Sequence, residues 1–148
     1  MNNSLKVLIA AVAPTAAMAL CLSLYLWPVS QTIEGPVSGF PGLVFWIGLG
    51  ILTTAAPVHV PRGPFVSVYL APILAVAVLG GPTAAAIVAV IGTVERRELR
   101  REVPWWGVLY NHTFVVLPAV LAGIVIQSFD TRVTSPQMLA AVLIGGAL

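Results

Sequence analysis

The chain has 148 residues, 59% hydrophobic and only 8% charged, with a mean hydropathy of +1.00. A soluble domain carries roughly 25% charged residues, so this chain cannot clothe itself in a polar surface and lipid must be its solvent. The formal net charge of +2 is small and the basic residues sit beside apolar runs, which speaks against a nucleic-acid partner; the lone cysteine, Cys21, excludes an intrachain disulfide and a thiolate metal cluster.

A bilayer core takes about 20 apolar residues per helical crossing. On that measure the chain is expected to form a single all-α, polytopic membrane bundle over residues 1–148, with five to six hydrophobic segments. The first, residues 7–27, follows a short head containing Lys6. Ala17-Met18-Ala19 resembles a signal-peptide cleavage site, but cleavage there would leave apolar residues 20–27 without a polar break, which favours a retained transmembrane helix. Leu20 before Cys21 argues against a lipoprotein, where a small residue usually precedes the modified cysteine. A turn-rich loop with one acid, Glu34, leads to the second span at residues 40–56.

"PVHVPRG" comes next. Pro57, Pro61 and Gly63 surround His59 and Arg62, and a helix could hardly continue through them. The plain reading is a surface turn with a topology-setting base. The functional one gives Arg62 an anionic head group or a cytoplasmic domain to dock, with His59 as a pH-sensitive neighbour.

Residues 66–79 and 83–94 pose a problem of length. At 1.5 Å per residue they reach about 21 and 18 Å, against a hydrocarbon core of roughly 30 Å. Two lengthened spans joined by "GGP", a re-entrant hairpin, or one kinked helix through Gly80, Gly81 and Pro82 would each accommodate them. Cytoplasmic loops carry an excess of Lys and Arg. A single kinked crossing would put the arginines of "ERRELRR" opposite Lys6 and Arg62, so the kinked helix fits worst, and charge does not separate the other two. Gly81, Ala85, Ala89 and Thr93 recur every four residues, and small residues at that spacing let helix backbones approach. A helix-turn-helix with "GGP" at its tip and Ala85 and Ala89 in a helix contact is therefore expected.

"ERRELRREVP" reads first as an interfacial helix end with Glu98 and Arg101 three residues apart on one face, and second as an anionic-lipid contact contributing ~1 kcal/mol per basic residue. Residues 105–127 form the fifth segment, opening on two tryptophans at an interfacial position. Its "YNHT" is the one polar cluster inside or at the edge of a span: Asn111 and His112 either sense a ligand or hydrogen-bond to neighbouring helices at roughly 0.6 kcal/mol each. The structural role is preferred. A loop with Asp130 and Arg132 follows, and the last apolar run, about half a span, reads as cut inside a helix.

No phosphate loop, nucleophile elbow, H-x-x-x-H pair or paired intramembrane carboxylate is present in the sequence, so no catalytic residue, cofactor or metal is assigned.

The stretch "PVHVPRGPFVSVYLAPILAVAVLGGPTAAAIVAVIG", the arginine-rich loop, "PWWGVLYNHT" and the helix after it resemble a known region. It is the polytopic N-terminal membrane-associated sensor region of bacterial signalling proteins whose cytoplasmic output is an HD-type cyclic-dinucleotide phosphodiesterase or a diguanylate cyclase. The likeness covers roughly residues 50–127 and rests on Pro61, Arg62, Gly63, Ser67, Gly81, Pro82, Trp105 and Asn111. Tyr110 stands where that family often has Phe, and the family's last helix and whole output domain are absent. The resemblance implies a membrane anchor and sensor in the bacterial inner membrane, N-terminus cytoplasmic. Its partners would be lipid and a fused output domain that holds any enzymatic activity, with a homodimer left open. The rival expectations are the solute-binding membrane subunit of a vitamin or metal importer, for which Ala13 and Ala17 could form a docking pair, and a free-standing structural membrane protein.

Overall fold

The computed structural model describes residues 3–28, 39–56, 58–59, 65–66, 68–129, 140 and 142–144. In chain order these form α1 (Asn3–Leu26), α2 (Gly39–Ala55), β1 (Val58–His59), β2 (Phe65–Val66), α3 (Leu70–Gly92), α4 (Arg96–Leu99) and α5 (Trp105–Ser128). Among the described residues the regular structure is helical apart from a two-residue antiparallel ladder that pairs Val58 with Val66 and His59 with Phe65. Counted by length and composition alone, three helices, α1, α3 and α5, are long and apolar enough to cross a membrane, and α2 is a shorter apolar helix. These elements define an α-helical membrane protein. Arg62 and Arg132 lie outside the described residues, as do the side chain of His59 and most of the last apolar run; Val142 from that run packs on the core.

Helix α3 is not one rod. Its backbone leaves helical geometry at Gly81, with φ +70° and ψ −170°, a combination open almost only to glycine. Pro82 follows and cannot donate to the preceding turn. A straight helix of its 23 residues would separate its ends by about 33 Å. Yet Tyr69 and Thr93, the residues flanking the two ends, line the same cavity. The helix therefore doubles back at Gly81, and its arms, residues 70–80 and 82–92, are each about 16 Å long. This is the expected helix-turn-helix with "GGP" at its tip, in arms too short to cross a core of roughly 30 Å.

Small side chains let the hairpin close and its neighbours approach. Ile73, Val76 and Ala77 of the first arm share one buried cluster with Ala84, Ala85, Val88 and Ala89 of the second, joined by Leu43, Ala119 and Ile126. Ala85 and Ala89, expected at a helix contact, are both completely buried. The buried surface is broader than one four-residue stripe, because Ala84, Ala86 and Val88 are buried as well. At Gly123 a Cβ would lie 2.7 Å from Pro82 N, and at Gly50 one would lie 3.0 Å from Gly92 Cα. Both crossings therefore bring backbone against backbone; a side chain at Gly123 would force its crossing apart, and one at Gly50 would require its neighbour to give by a few tenths of an ångström.

These contacts orient the bundle. Ser23 near the end of α1, Pro82 and Thr83 at the hairpin tip and Gly123 late in α5 meet at one end. Thr54 at the end of α2, Gly92 and Thr93 at the hairpin's return, and His112 early in α5 meet at the other. Helices α1 and α5 thus run parallel, with α2 opposed to them. Lys6 lies about 26 Å along α1 from Ser23, towards the second end, and α4 with the turn after it carries Arg96, Arg97, Arg100 and Arg101 there. Five of the chain's seven basic residues therefore gather at this basic end.

Candidate functional site

Polar side chains from α2, the hairpin's return, α4 and α5 converge at the basic end. Thr54 closes α2 by donating its hydroxyl to Gly92 O across 3.2 Å. After the hairpin returns, Glu95 starts the single turn of α4 from an extended conformation, and its backbone N–H donates to Glu98 Oε2 at 3.2 Å. A glutamate three residues into a helix, reaching back to the capping residue, satisfies one of the amides left free at a helix start. Arg101 in the left-handed region at φ +57° then turns the chain towards α5.

That turn folds α5 back over α4, and Glu98 meets "YNHT". Glu98 Oε2 lies 2.9 Å from His112 Nε2, with side-chain exposures of 5% and 14%. Asn111 Nδ2 donates to Glu98 Oε1 across a longer 3.4 Å. Glu98 is therefore committed to α5 and not to Arg101, the partner its helical spacing suggested. The ion pairs of this segment instead run from Arg97 and Arg100 to Glu102, at 4.0 and 3.9 Å and largely exposed, where such pairs contribute little.

Thr93 Oγ1 lies 2.6 Å from Ala89 O and 3.2 Å from His112 Nδ1, and His112 Nε2 lies 2.9 Å from Glu98 Oε2. A ring that donates its Nε2–H to the Glu98 carboxylate leaves Nδ1 as an acceptor towards the Thr93 hydroxyl. These contacts clamp α4 to α5 and, through Thr93, to the hairpin.

Beside this clamp lies a cavity of about 210 Å³, lined by Thr54, Tyr69, Thr93, Glu95, Glu98, Tyr110, Asn111, Phe114 and Val115. Tyr110 and Phe114 stack with centroids 5.6 Å apart. Of the residues singled out in the sequence, Asn111 and His112 belong to this site, whereas Gly81, Ala85 and Ala89 build the hairpin some distance along the bundle. The sequence reading missed Glu95, Glu98 and Tyr69 as site residues. The E-x-x-E spacing of Glu95 and Glu98 was a helix-start signal, but nothing local announced a partner fourteen residues on. Among the described residues no group of three or more His, Cys, Asp or Glu could hold a metal ion.

Comparison with protein-family models, curated proteins and solved structures finds no match to this chain.

Proposed function

We propose that this chain is the membrane-embedded anchor and sensor of a bacterial signalling protein, with its basic end at the cytoplasmic face of the inner membrane and its output domain encoded beyond Leu148. In this reading α1, α2 and α5 cross the bilayer and α3 enters and leaves from the basic side, its irregular backbone sheltered by α5 as the bilayer requires. That orientation puts the five placed basic residues where the positive-inside bias wants them. The reaction belongs to the output domain, an HD-type cyclic-dinucleotide phosphodiesterase or a diguanylate cyclase, as the resemblance of residues 50–127 implies.

The observation that carries the sensory part is the cavity at the basic end. Its walls come from α2, both ends of the hairpin, α4 and α5, so an occupant that fits one packing of these elements better than another shifts the population between them. The Glu98–His112 clamp is the contact such a shift would strengthen or release. The gene read past Leu148 is the test. A continuous frame into an HD or GGDEF-type domain, with turnover in the full-length protein that changes when Val115→Trp fills the cavity, supports the reading. A stop codon directly after Leu148, or an output domain whose turnover ignores the substitution, contradicts it.

A further inference from the structure

We infer that the cavity at the basic end binds a small organic ammonium ion. This names the ligand class for the cavity on which the sensory reading rests, and its test needs no output domain.

Size comes first. At ~30 Å³ per water molecule, 210 Å³ holds about seven waters, and an apolar cavity of about 150 Å³ accepts benzene. An amine of about four to seven non-hydrogen atoms fits without displacing the walls.

Charge favours a cation. Among the described residues, Glu95 and Glu98 line the cavity and no Lys or Arg does. Glu98 is partly offset by His112. The carboxylate of Glu95 has no ion pair among the described residues, so the described part of the lining keeps a formal negative charge even with an imidazolium at His112. An anion would meet that charge directly. A purely apolar molecule would leave any polar group it covers there without a new partner, at roughly 1–3 kcal/mol for each one left unpaired. The arginines of α4 and the turn after it are exposed, and solvent screens their field over about 8 Å at physiological ionic strength.

The aromatic walls complete the match. Tyr69, Tyr110 and Phe114 line the same cavity as Glu95 and Glu98, and an ammonium ion beside a carboxylate can lay its methyl or methylene groups on aromatic faces, each such contact contributing ~0.5–2 kcal/mol. Carboxylates alone would suit a hydrated metal ion as well; the aromatic side chains supply the preference for an organic cation.

Matched probes test this on the purified chain in detergent. Choline is compared with 3,3-dimethylbutan-1-ol, its uncharged isostere, and n-butylammonium with butan-1-ol, by thermal shift and titration calorimetry. At least one of the two cations is expected to raise the Tm while its neutral counterpart does not. Glu95→Gln should weaken the cation's binding by about tenfold, equivalent to the ~1.4 kcal/mol of a lost charged contact, and Phe114→Ala, at an exposed position, by about threefold to tenfold. The second variant keeps the test decisive should the first fail to fold. Equal stabilisation by a cation and its isostere, no effect of either cation at 10 mM, or full affinity in both variants overturns the proposal. Cation binding in a full-length protein whose turnover ignores it would leave the site standing and remove only the sensory reading.

Discussion

Replacing Gly81 with alanine distinguishes a turn from a continuous helix by the sign of its effect. In an uninterrupted helix the substitution stabilises by about 0.8–1 kcal/mol, because Ala is the better helix former. At φ +70° and ψ −170° a residue with a Cβ instead costs about 1–3 kcal/mol in backbone strain. The added methyl also lies 2.9 Å from Gln127 Nε2, but that is the end of a flexible side chain and can move aside. A net loss of about 2 kcal/mol is expected, roughly thirtyfold in the folding equilibrium. Reversible unfolding in mixed micelles measures it, and the same substitution in a Gln127→Ala background separates strain from collision. If strain dominates, the two backgrounds agree within about 0.5 kcal/mol. A Gly81→Ala protein as stable as the parent, or more so, would show that the helix runs straight through "GGP" and refute the doubled-back hairpin.

Further consequences follow from the same contacts. Leucine at Ala85 or Ala89, both fully buried, should cost about 1–3 kcal/mol by overpacking, whereas leucine at the partly buried Ile87 should cost under about 1.5; equal tolerance in an unfolding titration would mean that the alanine face meets lipid. Thr83→Val removes the hydroxyl that donates to Ser23 O at 2.6 Å, yet that carbonyl still accepts from Trp27 N–H. Its cost should therefore stay near ~1 kcal/mol, and a loss beyond about 3 would mean that the tip depends on this bond for its closure. A double-mutant cycle of Glu98→Gln and His112→Ala should give a coupling of about 1.5–3 kcal/mol, the range for a hydrogen bond to a charged group; additivity within about 0.5 would show that the clamp of α4 to α5 is not formed.

What the sequence disclosed and what it hid divide along the range of the interactions. The apolar runs marked α1, α2 and α5 because a span is a local, compositional property. "GGP" marked the hairpin tip because Gly81 and Pro82 act on their own backbone, and the alanine spacing marked a close contact without naming its partner, which proved to be both the opposite arm and α5. The site was harder. Glu98 looked like a surface residue of an arginine-rich turn, and its three-residue spacing to Arg101 suggested an ordinary helix-face pair. Its burial against His112 depends on how α5 folds back after Arg101, a tertiary event that no local pattern encodes. Tyr69 was hidden for the same reason: it enters the cavity only because the hairpin returns Thr93 to its level.

The doubled-back hairpin underlies the bundle's orientation, the cavity and the proposed sensing, and a distance measurement addresses it directly. Spin labels at Leu70 and Ile91, both substantially exposed and at opposite ends of α3, would be introduced in a Cys21→Ser background and read by pulsed electron paramagnetic resonance in lipid nanodiscs. The account predicts backbones about 10 Å apart, the spacing of packed helices, and a label separation below about 25 Å once the linkers are included. A distribution centred near the ~32 Å of a straight helix between these positions would contradict it.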